Sequence, residues 1–271
     1  MTTLREEIAG ATGSLAEVGC DTPRLDAELL LAHVLGIDRA QLTMRAGEEA
    51  TADDRTRYLA LLTRRARREP VAYILGRRAF RHLTLAVDPR VLIPRPETEL
   101  LVEVGLTLAP GARVCDAGTG SGAVALALKQ ERPDLEVVGA ELSAGALSVA
   151  RMNGRRLGLE VEWMQSDLLE RVGGCDAVLA NLPYVADQDP LPADVARYEP
   201  REALLGGPDG LAVVRELVAQ AGRRPRIALV ALEVGDTQAA ATEDLLRRAG
   251  FSAVERRLDL AGIERVVVGR R

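Results

Sequence analysis

Arg113-Val114-Cys115-Asp116-Ala117-Gly118-Thr119-Gly120-Ser121-Gly122-Ala123-Val124-Ala125-Leu126-Ala127-Leu128 runs a short β-prone segment, a glycine-rich turn and an apolar helical segment together without a break. A strand opening into a helix through glycines is the first unit of a doubly wound sheet, whose ligands sit at the carboxyl ends of the strands. Glycines there let a bulky ligand approach the backbone where a Cβ would collide. From Gly118 through Gly120 to Ala123 the string also fits the loose pattern GxGxxA. Alone it does not separate NAD from other adenosine-bearing cofactors. Without a ligand it reads as a tight strand-to-helix turn.

Downstream the alternation is regular. Strands are expected at 113–116, 136–140, 161–165, 177–180 and 227–233, with helices at 123–129, 144–157, 210–221 and 237–249. Two closing β-like runs, 253–258 and 265–268, are joined by a short turn and would add an antiparallel strand. Such alternation implies a mainly parallel sheet covered on both faces. Upstream, residues 1–75 read as a small all-helical domain. One helix is opened by Asp21-Thr22-Pro23 with Leu25, Leu29, Leu30, His33 and Val34 on its apolar face. A second spans about 53–68 with Tyr58, Leu61 and Leu62 inward. Between the two parts, 76–95 carries short β-prone runs (84–87 and 91–93) around Asp88-Pro89 and resembles a hairpin linker, leaving 96–271 as the α/β domain, which starts with a helix at 97–108.

Three further positions carry chemistry. Glu141 ends the second strand about 20 residues beyond the glycines, where a carboxylate can accept both hydroxyl hydrogens of a ribose. At the end of the third strand, in Ser166-Asp167-Leu168, Asp167 can accept from an adenine amine and Leu168 can pack on the ring; a helix N-cap is an equal reading. After the fourth strand comes Asn181-Leu182-Pro183-Tyr184. An amide or aromatic amine nitrogen is a poor nucleophile because its lone pair is delocalised. A site that methylates it needs acceptors for both hydrogens and a wall that holds it flat. The Asn181 side-chain oxygen and the Leu182 backbone carbonyl supply the acceptors, Pro183 stiffens the loop and Tyr184 offers an apolar edge.

Composition excludes other classes. The chain has 271 residues, a net charge of −5 and seven aromatics (two Phe, four Tyr, Trp163), so neither a duplex-binding surface nor a base-stacking platform is expected. Of 35 basic residues only Lys129 is lysine, a compositional bias without chemical meaning. Cys20, Cys115 and Cys175 lack metal or CxxC spacing and are expected as buried thiols in a reducing cytoplasm. His33 and His82 form no metal or triad pattern, and no membrane span or signal peptide is expected. A basic cluster, Arg64, Arg65, Arg67, Arg68, Arg77, Arg78 and Arg81, is offset by Glu69. It reads equally as a docking surface for an acidic partner or as a solvated face.

With these strings in hand, nearly the whole chain resembles the class I S-adenosylmethionine methyltransferases, and among them the bacterial release-factor glutamine methyltransferases. The narrow signals are Ile-Pro-Arg-Pro-Glu-Thr-Glu from Ile93 and Tyr-Glu-Pro-Arg-Glu-Ala-Leu-Leu-Gly-Gly-Pro-Asp-Gly-Leu from Tyr198. The resemblance implies a Rossmann-like domain with a mostly parallel seven-stranded sheet, its last strand antiparallel, after a helical substrate-recognition domain. It implies S-adenosylmethionine as cofactor, S-adenosylhomocysteine as product, and the Gly-Gly-Gln glutamine of release factors 1 and 2 as methyl acceptor. It assigns cofactor contacts to Asp116, Gly118, Thr119, Gly120, Ser121, Gly122, Glu141, Asp167, Leu168 and Asn181. Glutamine binding and catalysis fall to Asn181, Leu182, Pro183 and Tyr184. A cytoplasmic monomer is expected, with no stable nucleic-acid partner. Three positions depart from the usual pattern: Leu182 replaces a proline, Glu141 an aspartate, and Leu168 a common aromatic. An N6-adenine methyltransferase, a ribosomal-protein glutamine methyltransferase, an NAD-dependent dehydrogenase and a non-catalytic cofactor binder are the rival readings. The dehydrogenase leaves Asn181–Tyr184 without a purpose.

Overall fold

In the computed structural model, which describes residues 2–271, the chain begins with α1 (Leu4–Glu17), α2 (Pro23–Leu35), α3 (Arg39–Met44), α4 (Ala52–Ala66) and α5 (Val71–Leu75). A hairpin of β1 (Arg77–Phe80) and β2 (Leu83–Ala86) precedes a short 3₁₀ turn at Pro96–Thr98 and α6 (Glu99–Leu106). There follow β3 (Arg113–Ala117), α7 (Ala123–Glu131), β4 (Glu136–Glu141), α8 (Ala144–Leu157), β5 (Glu162–Gln165) and β6 (Ala177–Ala180). The chain closes with α9 (Ala193–Tyr198), α10 (Ala212–Gly222), β7 (Leu229–Glu233), α11 (Ala239–Arg248), β8 (Ala253–Leu258) and β9 (Glu264–Arg270). Two compact units result: the chain up to Arg77 together with Leu191–Tyr198, and Arg78–Pro190 together with Glu199–Arg271.

In the helical unit, reciprocal capping boxes start α1 (Thr3 with Glu6), α3 (Asp38 with Gln41) and α4 (Thr51 with Asp54). Each satisfies orphan N–H groups of the first turn. Pro23 opens α2, and Gly36 closes it at φ +66. The core gathers Leu4, Leu15, Leu30, Leu31, Leu42 and Tyr58, whose hydroxyl donates to the Ala27 carbonyl at 3.0 Å. The inward face of α2 differs from the expected stripe. Asp26, Ala27, Leu30, Leu31 and Val34 are buried, while Leu25 and His33 are exposed. The cause is Asp26, which turns inward because Arg65 of α4 meets it at 2.7 Å.

The second unit is built on a seven-stranded sheet in the order β5-β4-β3-β6-β7-β9-β8. Strands β3 to β7 pair in parallel, whereas β9 is antiparallel to both β7 and β8. Side chains alternate between two apolar layers. Val178, Ala180, Val230 and Leu232 pack with Val214, Leu217 and Leu246 on one face. Ala177, Leu179, Leu229 and Ala231 pack with Leu101, Val104, Leu126 and Leu128 on the other. The expected mainly parallel sheet, with its final strand antiparallel, is therefore present. Two local expectations fail. The 91–93 run is not a strand, because its backbone is engaged by Glu199 instead of a neighbouring strand. The helix α9 was not expected; it is short and polar, and its anchor is an ion pair far away in sequence.

Register decides what comes together. Ala117 pairs with Ala140 and with Ala180, and Ala180 pairs with Leu232. The next residues, Gly118, Glu141, Asn181 and Glu233, consequently emerge side by side at the carboxyl edge of the sheet.

Candidate active site

A pocket at this edge is lined by Gly118, Thr119, Gly120 and Ser121 of the glycine turn, by Asp116, Glu141, Asn181 and Pro183, and by Thr98. Val91, Leu92 and Pro94 add an apolar wall. Gly118 and Gly120 take φ +72 and +55, conformations that cost little only without a Cβ. Asp116 braces the turn from beneath. Its Oδ2 accepts the Thr119 hydroxyl at 2.6 Å and the Ala125 N–H at 3.1 Å, fastening the loop to the first turn of α7. Burial pushes its carboxyl up to about 6. Glu141 holds the loop from the side, accepting the Gly120 N–H and the Ser143 N–H at 2.9 Å each. Each carboxylate oxygen keeps a lone pair for a further donor.

Asn181 follows β6 directly. Its Nδ2 donates to the Thr98 Oγ1 at 3.0 Å, which fixes the sense of the side-chain amide. Among the described residues no donor reaches its Oδ1 or the Leu182 carbonyl. The Leu182 side chain turns away from the pocket, 3% exposed in the core beneath Gly118. Tyr184 lies outside the pocket lining. Burial, the largest cause, and the nearby Glu233 carboxyl push its hydroxyl up to about 12, so it stays neutral at physiological pH.

The loop is held from behind by residues that sequence reading did not single out. Gln238 donates to the Tyr184 carbonyl at 2.8 Å and accepts the Gly235 N–H at 2.9 Å. Val185 and Gly206 bridge the loop to the 204–206 segment through bonds of 3.0 and 2.8 Å. A Cβ on Gly206 would run into the Pro183 carbonyl, and one on Gly210 into the Tyr184 carbonyl. Those close approaches give the Gly-Gly-Pro-Asp-Gly string its physical reason. Glu199 joins the two narrow strings: its carboxylate accepts the Ile93 N–H at 3.0 Å and pairs with Arg95 at 2.6 Å. Glu233, at the end of β7, is buried and has an Oε2 without a partner.

Other expected site residues lie apart. Gly122 sits at the N-cap of α7 with φ +85, outside the pocket lining. Asp167 is exposed, and Leu168 adopts φ +48 with its side chain in the core. A turn follows them, not a helix; the Ser166 hydroxyl accepts the Arg171 N–H at 3.0 Å. The basic cluster is largely engaged. Arg64 pairs with Glu69, Arg65 with Asp26 and Asp194, Arg68 with Asp194, and Arg81 with Glu131. The three cysteines are buried and free. Among the described residues no His, Cys, Asp or Glu cluster could hold a metal ion, and no helix is long and apolar enough to cross a membrane.

Comparison with known proteins decides between the rival readings. The PrmC N-terminal domain model matches residues 6–76, and the methyltransferase small domain model matches residues 96–197. The release factor glutamine methyltransferase of Burkholderia pseudomallei is 48% identical over 261 residues, 91% of each chain. That of Mycolicibacterium smegmatis is 42% identical over 100% of this chain and 99% of its own. The chain belongs to the release factor glutamine methyltransferase family. It is a methyltransferase, as the pairing of a glycine turn with an Asn-x-Pro-Tyr loop implies. A methyltransferase from Pyrococcus furiosus, 17% identical, shares the fold with a TM-score of 0.55 over 77% of this chain and 98% of its own.

Proposed function

We propose that this enzyme methylates the side-chain amide nitrogen (N5) of the glutamine in the Gly-Gly-Gln motif of peptide chain release factors 1 and 2, using S-adenosylmethionine, and works as a cytoplasmic monomer. The observation that carries the reading is the Asn181 Oδ1, an acceptor no described donor reaches, in the pocket beside the glycine turn, with the Leu182 carbonyl as the second acceptor the reading calls for. A primary amide presents two hydrogens in one plane, and two acceptors hold both. With those hydrogens engaged, nitrogen electron density is left free perpendicular to the amide plane. Asn181 and Leu182 thus orient the nucleophile, and Pro183 adds no competing donor. The seven aromatics leave no cluster to stack a flipped base.

The residues present also fit the cofactor. Gly118 and Gly120 leave the backbone open to close approach, and Glu141 retains acceptor capacity for two vicinal hydroxyls. S-adenosylmethionine, when bound, supplies an electrophilic methyl on a sulfonium. The chain's part is positioning, and no strong base is needed early because the nitrogen becomes acidic only as its new bond forms. The buried free cysteines accord with a reducing compartment.

The test is mass spectrometry of recombinant release factors 1 and 2 after incubation with enzyme and cofactor. One added methyl on the Gly-Gly-Gln peptide is expected. Asn181→Ala should lower kcat by about 100-fold or more, with cofactor affinity within a few-fold of wild type. Near-normal turnover in that variant would remove Asn181 from the mechanism.

A further inference from the structure

Gln238 stands at the N-cap of α11, yet its side chain makes no cap bond to that helix. Its amide instead joins three separate segments. Oε1 accepts the Gly235 N–H at 2.9 Å, and Nε2 donates to the Tyr184 carbonyl at 2.8 Å. The same Nε2 reaches the Asp209 carbonyl at 3.4 Å. These partners fix the sense of the amide, since a donor faces one end and two acceptors face the other. Glutamine meets both demands on one planar group, whereas an ionised glutamate offers acceptors alone.

The place of this bridge matters as much as its bonds. Asn181 and Pro183 line the pocket and Tyr184 does not, so the chain leaves the pocket between Pro183 and Tyr184. Gln238 grips the carbonyl at that exit. Gly210 leaves room for the Tyr184 carbonyl and the Gln238 Nε2 together, since a Cβ there would meet both. At its start the loop is fixed by Ala180, which the sheet register locks between β3 and β7. The backbone of Val185 is tied to Leu204 and Gly206, and Gln238 adds a side-chain tie one residue nearer to Asn181.

We propose that Gln238 is a positioning residue for the methyl transfer, holding the Asn181–Tyr184 loop by the Tyr184 carbonyl so that Asn181 presents its Oδ1 to the acceptor amide. This rests on the role assigned to Asn181 above. A short loop held at its start alone can shift, and a displacement of about 1 Å at a reacting group can cost about 100-fold in rate. Gln238 is not among the residues lining the pocket. Its effect therefore falls on the acceptor amide through the loop, and leaves cofactor binding largely untouched.

The experiment measures kcat and KM for a Gly-Gly-Gln substrate, cofactor affinity by calorimetry, and the thermal unfolding midpoint. Gln238→Glu keeps the acceptor for Gly235 and turns the donor at Tyr184 into an acceptor that two carbonyls repel. It should lower kcat about 10-fold or more, change KM less, and leave cofactor affinity within about 3-fold of wild type. Gln238→Met is of similar length without charge or donor, and carries the same expectation should Gln238→Glu fail to fold. Gln220 is the control for a purely structural role: it is buried, lies outside the pocket lining, and accepts the Leu169 N–H at 2.9 Å. Gln220→Met should lower the unfolding midpoint while kcat stays within about 2-fold of wild type. Near-normal kcat in the folded Gln238 variants, or a fall in cofactor affinity equal to the fall in kcat, would overturn the proposal. So would a Gln220→Met variant that loses as much kcat as Gln238→Met. Absence of any glutamine methylation by wild-type enzyme would instead overturn the proposed function itself.

Discussion

Leu182 holds the second place of the Asn-Leu-Pro-Tyr loop, where the family resemblance puts proline. A proline would stiffen the loop through its ring. Leucine does so by burial, since its side chain is 3% exposed and lies under the glycine turn. A Cβ built on Gly118 would stand 3.0 Å from Leu182 Cδ2, so the glycine turn and the Asn181–Tyr184 loop are packed against each other at this point. Leu182→Ala should cost about 2–4 kcal/mol by thermal or denaturant unfolding, the ordinary loss for a buried leucine. It should also weaken cofactor binding several-fold by calorimetry, because the turn above loses its floor. Gly118→Ala approaches the same contact from the other side, with about 1 kcal/mol of backbone strain added at φ +72. Unchanged cofactor affinity in both variants would separate the two loops. The identity of Leu182 was legible in the sequence, but its direction was not. Whether a loop side chain faces the ligand or the core depends on contacts that the local string does not contain. Leu168 repeats the lesson: expected against adenine, it turns into the core through a positive φ.

Among the helices, Arg65 of α4 shows why a hydrophobic stripe can mislead by one position. Its side chain is 5% exposed and meets Asp26 of α2 at 2.7 Å and Asp194 of α9 at 3.2 Å. Arg68 reaches the same Asp194 at 2.8 Å. An apolar-only reading of α2 assigned Leu25 and Leu29 inward, because a buried aspartate is invisible unless its partner on another helix is known. Arg65→Met should destabilise the protein by about 3–5 kcal/mol, since it leaves a buried carboxylate uncompensated. The double variant Arg65→Met with Asp26→Leu should recover much of that loss in a denaturant-unfolding cycle. A single-variant cost below about 1 kcal/mol would mean that the pair is no anchor. The same ion pairs take Arg64, Arg65 and Arg68 out of a simple docking surface. Reversing their charge would disturb the helical unit before it tested any partner.

At the scale of the whole chain, the sheet was legible because its central strands are covered on both faces and read as continuous apolar runs. The purpose of the two narrow strings was not, because it lies in register: Glu199 satisfies a backbone N–H more than 100 residues earlier. Glu233 was hidden for the same reason, as one acid at the end of an apolar strand. Its burial has a consequence for the stability of the entire fold. The folded-state value of about 7 stands above the ordinary 4.5, so folding binds a proton more tightly across that interval. The sign follows from linkage: the contribution is fully present below about 4.5 and is lost as pH rises through 7. Asp116, raised to about 6 mainly by burial, acts in the same direction. Carboxylates held down by arginines, such as Glu131 beside Arg81 and Asp176 beside Arg226, act oppositely at lower pH. Comparison with Glu233→Gln cancels all of these except Glu233. Between pH 5 and 8 wild type should lose roughly 2 kcal/mol relative to the variant, read as diverging denaturant midpoints. The variant's own offset from its buried amide is independent of pH and drops out of the difference. Parallel pH curves would mean that Glu233 titrates alike in the folded and unfolded chain. Divergence in the stated direction would show a carboxyl kept at the edge of the sheet at a cost to the fold at neutral pH.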